Sequence, residues 1–383
     1  MSGRRKKTIQ LDYSIVSDFS DWVLEQLYIA YHEAARHKRG TADEVKFEMN
    51  LHENMALLHY DIMHETYKTS PGIAFVVTDP VIREVFAAPF RDRIVHHFLL
   101  NIVAPWWDRR FIYDSYSCRL GKGTLFGIMR LKDFIRKASR NYTRKVYVAK
   151  FDLQGYFMSL PRKGLYQKMA WGLERQFPHG GPVRDTAKFL WRQVLFDDPI
   201  KGVKRRGDLS LWQKLPKNKS LFNQPPGKGI VIGNLTSQLV SNVYLDEFDR
   251  FMKYDLGYKY YGRYVDDFFV VVTEEEFEGL KKEVRIIEAK LASMGLTLHP
   301  KKRHMQEAGK GTPFLGTVIY PGHVVPSARV RNNFYRALER IVRGDGDFES
   351  IISYVGLVQH YNSKKIMAKI FDKLGQDFNW DFY

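Results

Sequence analysis

Residues 259–273 read KYYGRYVDDFFVVVT. Two apolar runs, rich in aromatic and β-branched residues, flank a polar centre at Asp266 and Asp267. The stretch therefore predicts strand, tight turn, strand. Asp is common in turns, so the pair taken alone reads most simply as a polar hairpin turn. A further acid has a similar setting. Within KVYVAKFDL (residues 145–153), Val146, Val148 and Phe151 alternate as in a strand, and Asp152 ends it. Carboxylates beside this much hydrophobic sequence are costly unless a cation joins them. Hard oxygen ligands of this kind suit Mg²⁺, which keeps waters and substrate phosphates as its other ligands.

Outward from the hairpin, Thr273 and Glu276 make a capping box. The helix they open carries Phe277, Leu280, Val284, Ile287 and Leu291 at helical spacing, and Gly295 stands where its C-terminal cap belongs. Another helix begins at Asn234, with Leu245, Phe248 and Met252 on one face. Residues 313–320 (PFLGTVIY) predict one more strand, and residues 327–383 a helical tail. Upstream, residues 1–80 read as mostly helical. Residues 81–145 mix helix and loop and hold a dense basic stretch from Arg119 to Lys145. Residues 201–229 (KGVKRRGDLSLWQKLPKNKSLFNQPPGKG) form a long Lys-, Pro- and Gly-rich connection, of a kind that is functional or disordered. The order strand, helix, strand–turn–strand, helix, strand over residues 145–320 predicts an α+β fold, a small sheet backed by helices.

The composition sets bounds on function. The chain has 383 residues, 44% hydrophobic and 14% aromatic, enough for a packed core rather than a disordered chain. Its 60 Lys and Arg against 43 Asp and Glu leave a formal charge of +17, which suits a polyanionic partner. Charge alone fits an ordinary basic soluble protein equally well. Cys118 is the only cysteine, which excludes a disulfide framework and a Cys-based zinc site and fits a reducing cytoplasm. No apolar run approaches the ~18 residues of a membrane span, so no membrane association is expected. The start, MSGRRKKTIQLDYS, has no apolar core of a secretory signal. Its cluster Gly3, Arg4, Arg5, Lys6, Lys7 reads as a solvated tail that could touch nucleic acid.

Several segments share a family resemblance. GRYVDDFFVV resembles the catalytic YxDD turn of reverse transcriptases, and AKFDLQGYFMSLP resembles their first aspartate motif. GIVIGNLTSQ resembles the helix-opening motif between those two. GLTLHPKK and PFLG follow where the next two motifs belong. Upstream, REVFAAPFRDRIVHH and YDSYSCRLGKGT resemble the two finger motifs. Each motif alone is weak, but together, in this order over roughly residues 80–325, they are specific. LPKNKSLF, IGNLTSQ and LHPKK are in the style of diversity-generating retroelements, and enzymes of antiviral defence systems share much of the pattern.

The resemblance implies a right-hand polymerase. Residues 1–80 would be an N-terminal helical extension or fingers, 81–145 fingers, 146–320 palm with a finger insertion at about 165–230, and 321–383 a short helical thumb. It implies two Mg²⁺ ions, with Mn²⁺ as a possible substitute, held by Asp152, Asp266 and the adjacent Asp267, with the backbone carbonyl of Leu153 completing the second site. Phe157 would be the steric gate that excludes a ribose 2′-hydroxyl; the residue reads otherwise as core beside Tyr156. Arg119 and Lys122, in a loop made pliable by Gly121 and Gly123, would hold the triphosphate. Lys302 matches the lysine near the leaving pyrophosphate, with Lys301 adjacent. Phe314, Leu315 and Gly316 match the primer grip, though Phe314 equally suits the core. Gly233 would let the backbone approach the incoming nucleotide or template.

Two departures point to a subclass. Ile232 stands where the wider family usually has glutamine, and Ser237-Gln238 where it often has Ser-Pro. Both accompany error-prone copying at template adenines in the diversity-generating type. An alkyl group in place of an amide removes a polar restraint on base-pair geometry. Val231 departs from that subgroup, which usually has Pro there. In the connection, Lys201, Lys204, Arg205, Arg206, Lys214, Lys217 and Lys219 would clamp template RNA or bind a partner, or form a plain solvated loop.

The implied partners are an RNA template, a DNA or RNA primer and dNTPs, with a structured non-coding RNA and a small accessory protein, in the cytoplasm of a prokaryotic host, the protein being the host's own or phage-encoded. Residues after 325 show no nuclease signature. A catalytically idle RNA-binding scaffold is disfavoured by the intact Asp152, Asp266 and Asp267. An RNA-dependent RNA polymerase is disfavoured by Phe157 and the Tyr264–Asp267 turn.

Overall fold

A computed structural model of the protein describes residues 19–36, 40–78, 81–346, 348–362 and 368. The basic cluster at residues 3–7 and nearly all of the tail after residue 362 lie outside the described residues. The chain forms two compact units. One combines the residues up to Phe111 with Gly155–Leu245, and the other combines Ile112–Gln154 with the residues from Asp246 onward.

In chain order the first unit begins with α1 (Phe19–Ala35), α2 (Ala42–Glu48), α3 (Leu51–Met63), β1 (Ile73–Val77), β2 (Arg83–Ala87) and α4 (Phe90–Arg110). The chain then supplies α5 (Thr124–Ala138) and β3 (Val146–Asp152) to the second unit. It returns with α6 (Tyr156–Ser159), α7 (Arg162–Gln176), α8 (Pro182–Phe196), β4 (Lys204–Arg205), α9 (Leu211–Lys214) and the start of α10 (Leu235–Arg250), whose last turn, from Asp246, belongs to the second unit. The second unit is completed by β5 (Tyr261–Tyr264), β6 (Asp267–Thr273), α11 (Glu274–Ser293), β7 (His304–Glu307), β8 (Thr312–Phe314), β9 (Thr317–Tyr320), β10 (His323–Pro326), α12 (Ala328–Val342) and α13 (Phe348–Val358). No helix among the described residues is long and apolar enough to cross a membrane.

The second unit is built on an antiparallel sheet of order β5-β6-β3-β7. Its register places Val148 opposite Val271, Phe151 opposite Phe268 and Asp152 opposite Asp267. One face carries Val146, Val148, Phe269 and Val271 into a core with Ile128, Leu131 and Phe134 of α5. On the other, Phe151 and Phe268 stack at 5.2 Å, and Phe248 of α10 meets Phe268 edge-on. Both faces are covered, so Phe268–Val272 form a continuous buried run. The simple alternation expected for residues 145–153 gives way to burial on both sides, as in any sheet sandwiched between layers. The α+β expectation holds.

Helix α11 begins and ends as its sequence predicts. The Thr273 amide donates to Glu276 Oε2 at 2.8 Å, half of a complete capping box. At its end Gly295 has φ +72°, the Leu296 amide donates to the Leu291 carbonyl and the Gly295 amide to that of Ala292, both at 2.9 Å. This is a Schellman closure, which needs a left-handed residue.

Other expectations change. Residues 313–320 are not one strand but the hairpin β8–β9, turned at Leu315 (φ 45°) and Gly316 (φ 82°). Two successive positive φ values give the tight turn whose twist matches the strands. The stretches read as helix or as helix and loop contain the hairpin β1–β2, and β10 precedes the helical tail. In that tail Phe334 and Leu338 do pack in a small core, with Ile351. The connection 201–229 is not a bare loop: β4 pairs parallel with β1. It is anchored by Glu84, fully buried on β2, which accepts from Ser220 Oγ at 2.6 Å and the Leu221 amide at 2.8 Å.

Replacing Gly295 with Ala puts a Cβ on left-handed backbone and should lower unfolding free energy by about 1–2 kcal/mol. Chemical denaturation measures it, and an unchanged midpoint would contradict the closure.

Candidate active site

The register of β3 and β6 brings two carboxylates side by side, Asp152 opposite Asp267, while Asp266 occupies the turn that precedes β6. Like charges directly opposite each other on a sheet are destabilising. The second unit fixes them in place nonetheless. The Leu153 amide donates to the Asp266 carbonyl at 3.2 Å, the His299 amide to the Asp152 carbonyl at 2.8 Å, and the Gln154 amide to the Thr297 carbonyl at 2.8 Å. The two sequence segments carrying the acids, and the GLTLHPKK segment, thus meet through main-chain bonds.

Two lysines partly neutralise the cluster. Lys302 Nζ lies 2.8 Å from Asp152 Oδ2, and Lys150 Nζ lies 3.3 Å from Asp267 Oδ2. Lys150 was not singled out from sequence. Its signal was parity, since it shares a sheet face with Asp152 two residues on. The balance of charge is still negative. Burial, then the charges of Asp267 and Asp152, push the Asp266 carboxyl up to about 7. Burial also raises Asp267, against the pull of Lys150 and with the push of Asp152. Burial opposes the charge on Lys302, but its hydrogen bond to Asp152 and the three nearby carboxylates outweigh that and raise it.

Among the described residues no group of three or more His, Cys, Asp or Glu is already assembled as a metal cage. Mg²⁺ does not require one, since it binds through one or two carboxylates and completes its shell with water and phosphate. Asp267 Oδ1 is buried and has no hydrogen-bond partner. An orphaned buried oxygen beside two mutually repelling carboxylates is what a hard cation relieves, so the residues present fit Mg²⁺.

The second unit also carries other sequence candidates. Arg119 Nη1 donates to the carbonyls of Ile112 (2.7 Å) and Ser115 (3.0 Å). Lys122 Nζ donates to the Tyr113 carbonyl and sits 4.3 Å from the Tyr113 ring centre. Both cations are engaged by the backbone of their own loop. Phe314 is buried core, edge-on to Phe269 at 5.1 Å, and Leu315 and Gly316 form the β8–β9 turn.

The first unit gathers a separate set. Half-buried Phe157 and Ile232 pack on one cluster with Phe86, Met158, Leu221 and Val231. The Phe86 amide donates to the Ile232 carbonyl at 2.7 Å, and the Ile230 amide to that of Phe157 at 3.0 Å. At Gly233 (φ +121°) a Cβ would lie 2.2 Å from the Phe86 carbonyl oxygen, so only glycine fits. Of the basic connection, Lys201, Lys204, Arg205, Arg206 and Lys217 are exposed and Lys219 is half-buried. Arg205 lies 4.1 Å over the Phe222 ring and 4.7 Å over that of Trp212.

The sequence model of the family described as "Reverse transcriptase (RNA-dependent DNA polymerase)" matches residues 82–319. Protein YkfC of Escherichia coli (strain K12) is 21% identical over 337 residues, covering 77% of this chain and 79% of that protein. Among solved structures, a telomerase from Candida tropicalis in complex with the TWJ fragment of telomeric RNA superposes with a TM-score of 0.48 at 10% identity, over 80% of this chain and 55% of that one. A Candida albicans telomerase in complex with the same kind of fragment gives 0.49 at 11% identity, over 83% and 58%. The chain spans little more than half the length of those two telomerase chains.

The raised Asp266 carboxyl makes a stability prediction. Its folded value near 7 exceeds the ordinary 3.8, so its contribution is fully present in acid and is lost as pH rises through about 7. Without divalent metal, Asp266→Asn should melt higher than the parent near pH 8, by ~1–2 °C per kcal/mol relieved, and the gain should shrink toward pH 4. Thermal melts in chelator read it. A gain independent of pH would contradict the repulsion.

Proposed function

The chain belongs to the reverse transcriptase (RNA-dependent DNA polymerase) family, and on that premise we propose that it copies RNA into DNA. It would join dNTPs to a primer 3′-hydroxyl at Asp152, Asp266 and Asp267. The observation that carries the reading is the pairing of Asp152 with Asp267 beside the Asp266 turn, with an orphaned oxygen on Asp267. A scaffold that only bound RNA would gain nothing from three crowded carboxylates.

Asp152 and Asp266 would hold two Mg²⁺ ions, with Asp267 and the Leu153 carbonyl as further ligands and Mn²⁺ as a substitute. Bound there, the metal supplies activation of the 3′-hydroxyl and stabilisation of the departing pyrophosphate. Lys302, kept protonated by its acidic neighbours, meets the leaving group as a charge or proton donor. Arg119 and Lys122 exchange their backbone acceptors for the stronger anionic oxygens of the triphosphate. Phe157 sets the sugar preference by its bulk. The turn at Phe314, Leu315 and Gly316 supports the primer end. Lys201, Lys204, Arg205, Arg206, Lys217 and Lys219 contact template phosphates, which positions RNA without reading its sequence.

In subdomain terms, residues 1–80 and 81–145 are the N-terminal extension and fingers, 146–320 the palm with its finger insertion, and 321–383 the thumb. Within the family we assign the chain to the diversity-generating type, because Ile232 and Ser237-Gln238 replace the usual polar and proline residues. Its setting would be the cytoplasm of a prokaryotic cell, with a structured non-coding RNA and a small accessory protein as partners. The same pattern in a defence enzyme would differ in its error spectrum.

Primer extension by the purified chain on an RNA template, with Mg²⁺ and either dNTPs or rNTPs, tests the activity. DNA synthesis from dNTPs is expected. Asp266→Ala should abolish it while RNA affinity changes less than about twofold, because phosphate contacts dominate that affinity. A variant that still extends primers removes Asp266 from the chemistry, and products from rNTPs alone would point to an RNA polymerase. Sequencing the products tests the subclass. Errors should concentrate at template adenines, and Ile232→Gln should lower them. An unchanged spectrum would take Ile232 out of the account.

A further inference from the structure

Arg263 is a fully buried arginine on β5. Its Nε donates to Asp249 Oδ1 and its Nη2 to Asp249 Oδ2, both at 2.7 Å, and Asp249 is itself fully buried on α10. Nη2 also donates to Ser115 Oγ at 3.2 Å. Tyr261 Oη donates to Asp249 Oδ1 at 2.6 Å. Main-chain bonds hold the same place: the Arg263 amide donates to the Asp114 carbonyl and the Tyr116 amide to the Arg263 carbonyl, each at 2.9 Å.

The remaining arm of the guanidinium reaches the hairpin turn. Nη1 donates to the Val265 carbonyl at 2.9 Å. Val265 has φ 54°, a left-handed conformation that a β-branched residue rarely adopts. Strain of this kind persists only where the surroundings over-determine it. The Val265 carbonyl belongs to the peptide that joins Val265 to Asp266. Fixing that peptide plane, with Asp267 held on the other side by the β3–β6 ladder, restricts the direction in which the Asp266 side chain leaves the backbone.

Stability is a weak reason for such a pair, because well-packed apolar residues in place of a buried ion pair are often neutral or stabilising. What the fork geometry adds is direction. A planar guanidinium meets a carboxylate with two nitrogens and keeps a third free for another acceptor, which an ammonium cannot do. We propose that Arg263, held by Asp249, is a positioning residue that clamps the strained Val265–Asp266 peptide and thereby aims the Asp266 carboxylate at the cation it shares with Asp152. The inference rests on the proposed metal-dependent reading of the carboxylates.

The test uses the full chain and Mn²⁺ as probe, with binding followed by electron paramagnetic resonance. Arg263→Lys keeps the charge beside Asp249 but loses the fork. Arg263→Gln combined with Asp249→Asn leaves no buried charge and retains an acceptor for Tyr261. Partners of this kind behind a metal ligand change metal affinity roughly 10–100-fold when removed. Both variants should fold, keep parental RNA affinity, and bind Mn²⁺ weaker by that range. Parental Mn²⁺ affinity in either folded variant would overturn the proposal. So would failure of both to fold, which would assign the pair to folding alone, or a parent chain that binds no Mn²⁺. A parent that binds Mn²⁺ but extends no primer would instead sink the polymerase reading and leave the clamp standing.

Discussion

Two carboxylates face each other across a β-ladder, and a third sits in the turn beside them. Asp152 and Asp267 cannot move apart, because the register of β3 and β6 is fixed by side chains buried on both faces of the sheet. Slipping by one residue would send every side chain to the opposite face. The apolar packing of Val148, Phe151, Phe268 and Val271 is therefore what forces like charges together. The electrostatic cost is local and visible: an orphaned Asp267 oxygen, an Asp266 carboxyl pushed up to about 7, and two lysines drawn in as counter-charges.

That arrangement inverts the usual relation between stability and site. The hydrophobic sheet pays for a turn that is strained at Val265 and crowded with negative charge. The surrounding connections add rigidity, through the capping box and Schellman closure of α11 and the main-chain bonds that tie Leu153, Gln154 and Asp152 to their neighbours. Rigidity of this kind is what charge stabilisation in a transition state requires.

Much of this was legible in the sequence where the physics is local. The hairpin at residues 259–273, helix α11 with both of its ends, and the start of α10 follow from periodicity and end signals alone. Asp152, Asp266 and Asp267 stand out because acids are rare beside such apolar runs. What escaped was set by partners far away in the chain. Strand β7, His304–Glu307, has no apolar pattern because an edge strand is held by backbone bonds to β3. The split of residues 313–320 depends on Leu315 adopting a conformation that leucine rarely prefers. Lys150, Glu84 and the Arg263–Asp249 pair are ordinary charged residues until the fold buries them or turns them toward an acid. Arg119 and Lys122 were recognised as cations, but not that their own loop backbone engages both.

The proposed cation site joins Asp152, Asp266 and Asp267. Diffraction from crystals of the protein grown with Mn²⁺, recorded at the manganese absorption edge, tests it most directly. An anomalous peak in contact with the carboxylates of Asp152 and Asp266 is expected. Manganese bound only elsewhere on the chain, with Lys302 and Lys150 still the sole counter-charges of the cluster, would contradict it.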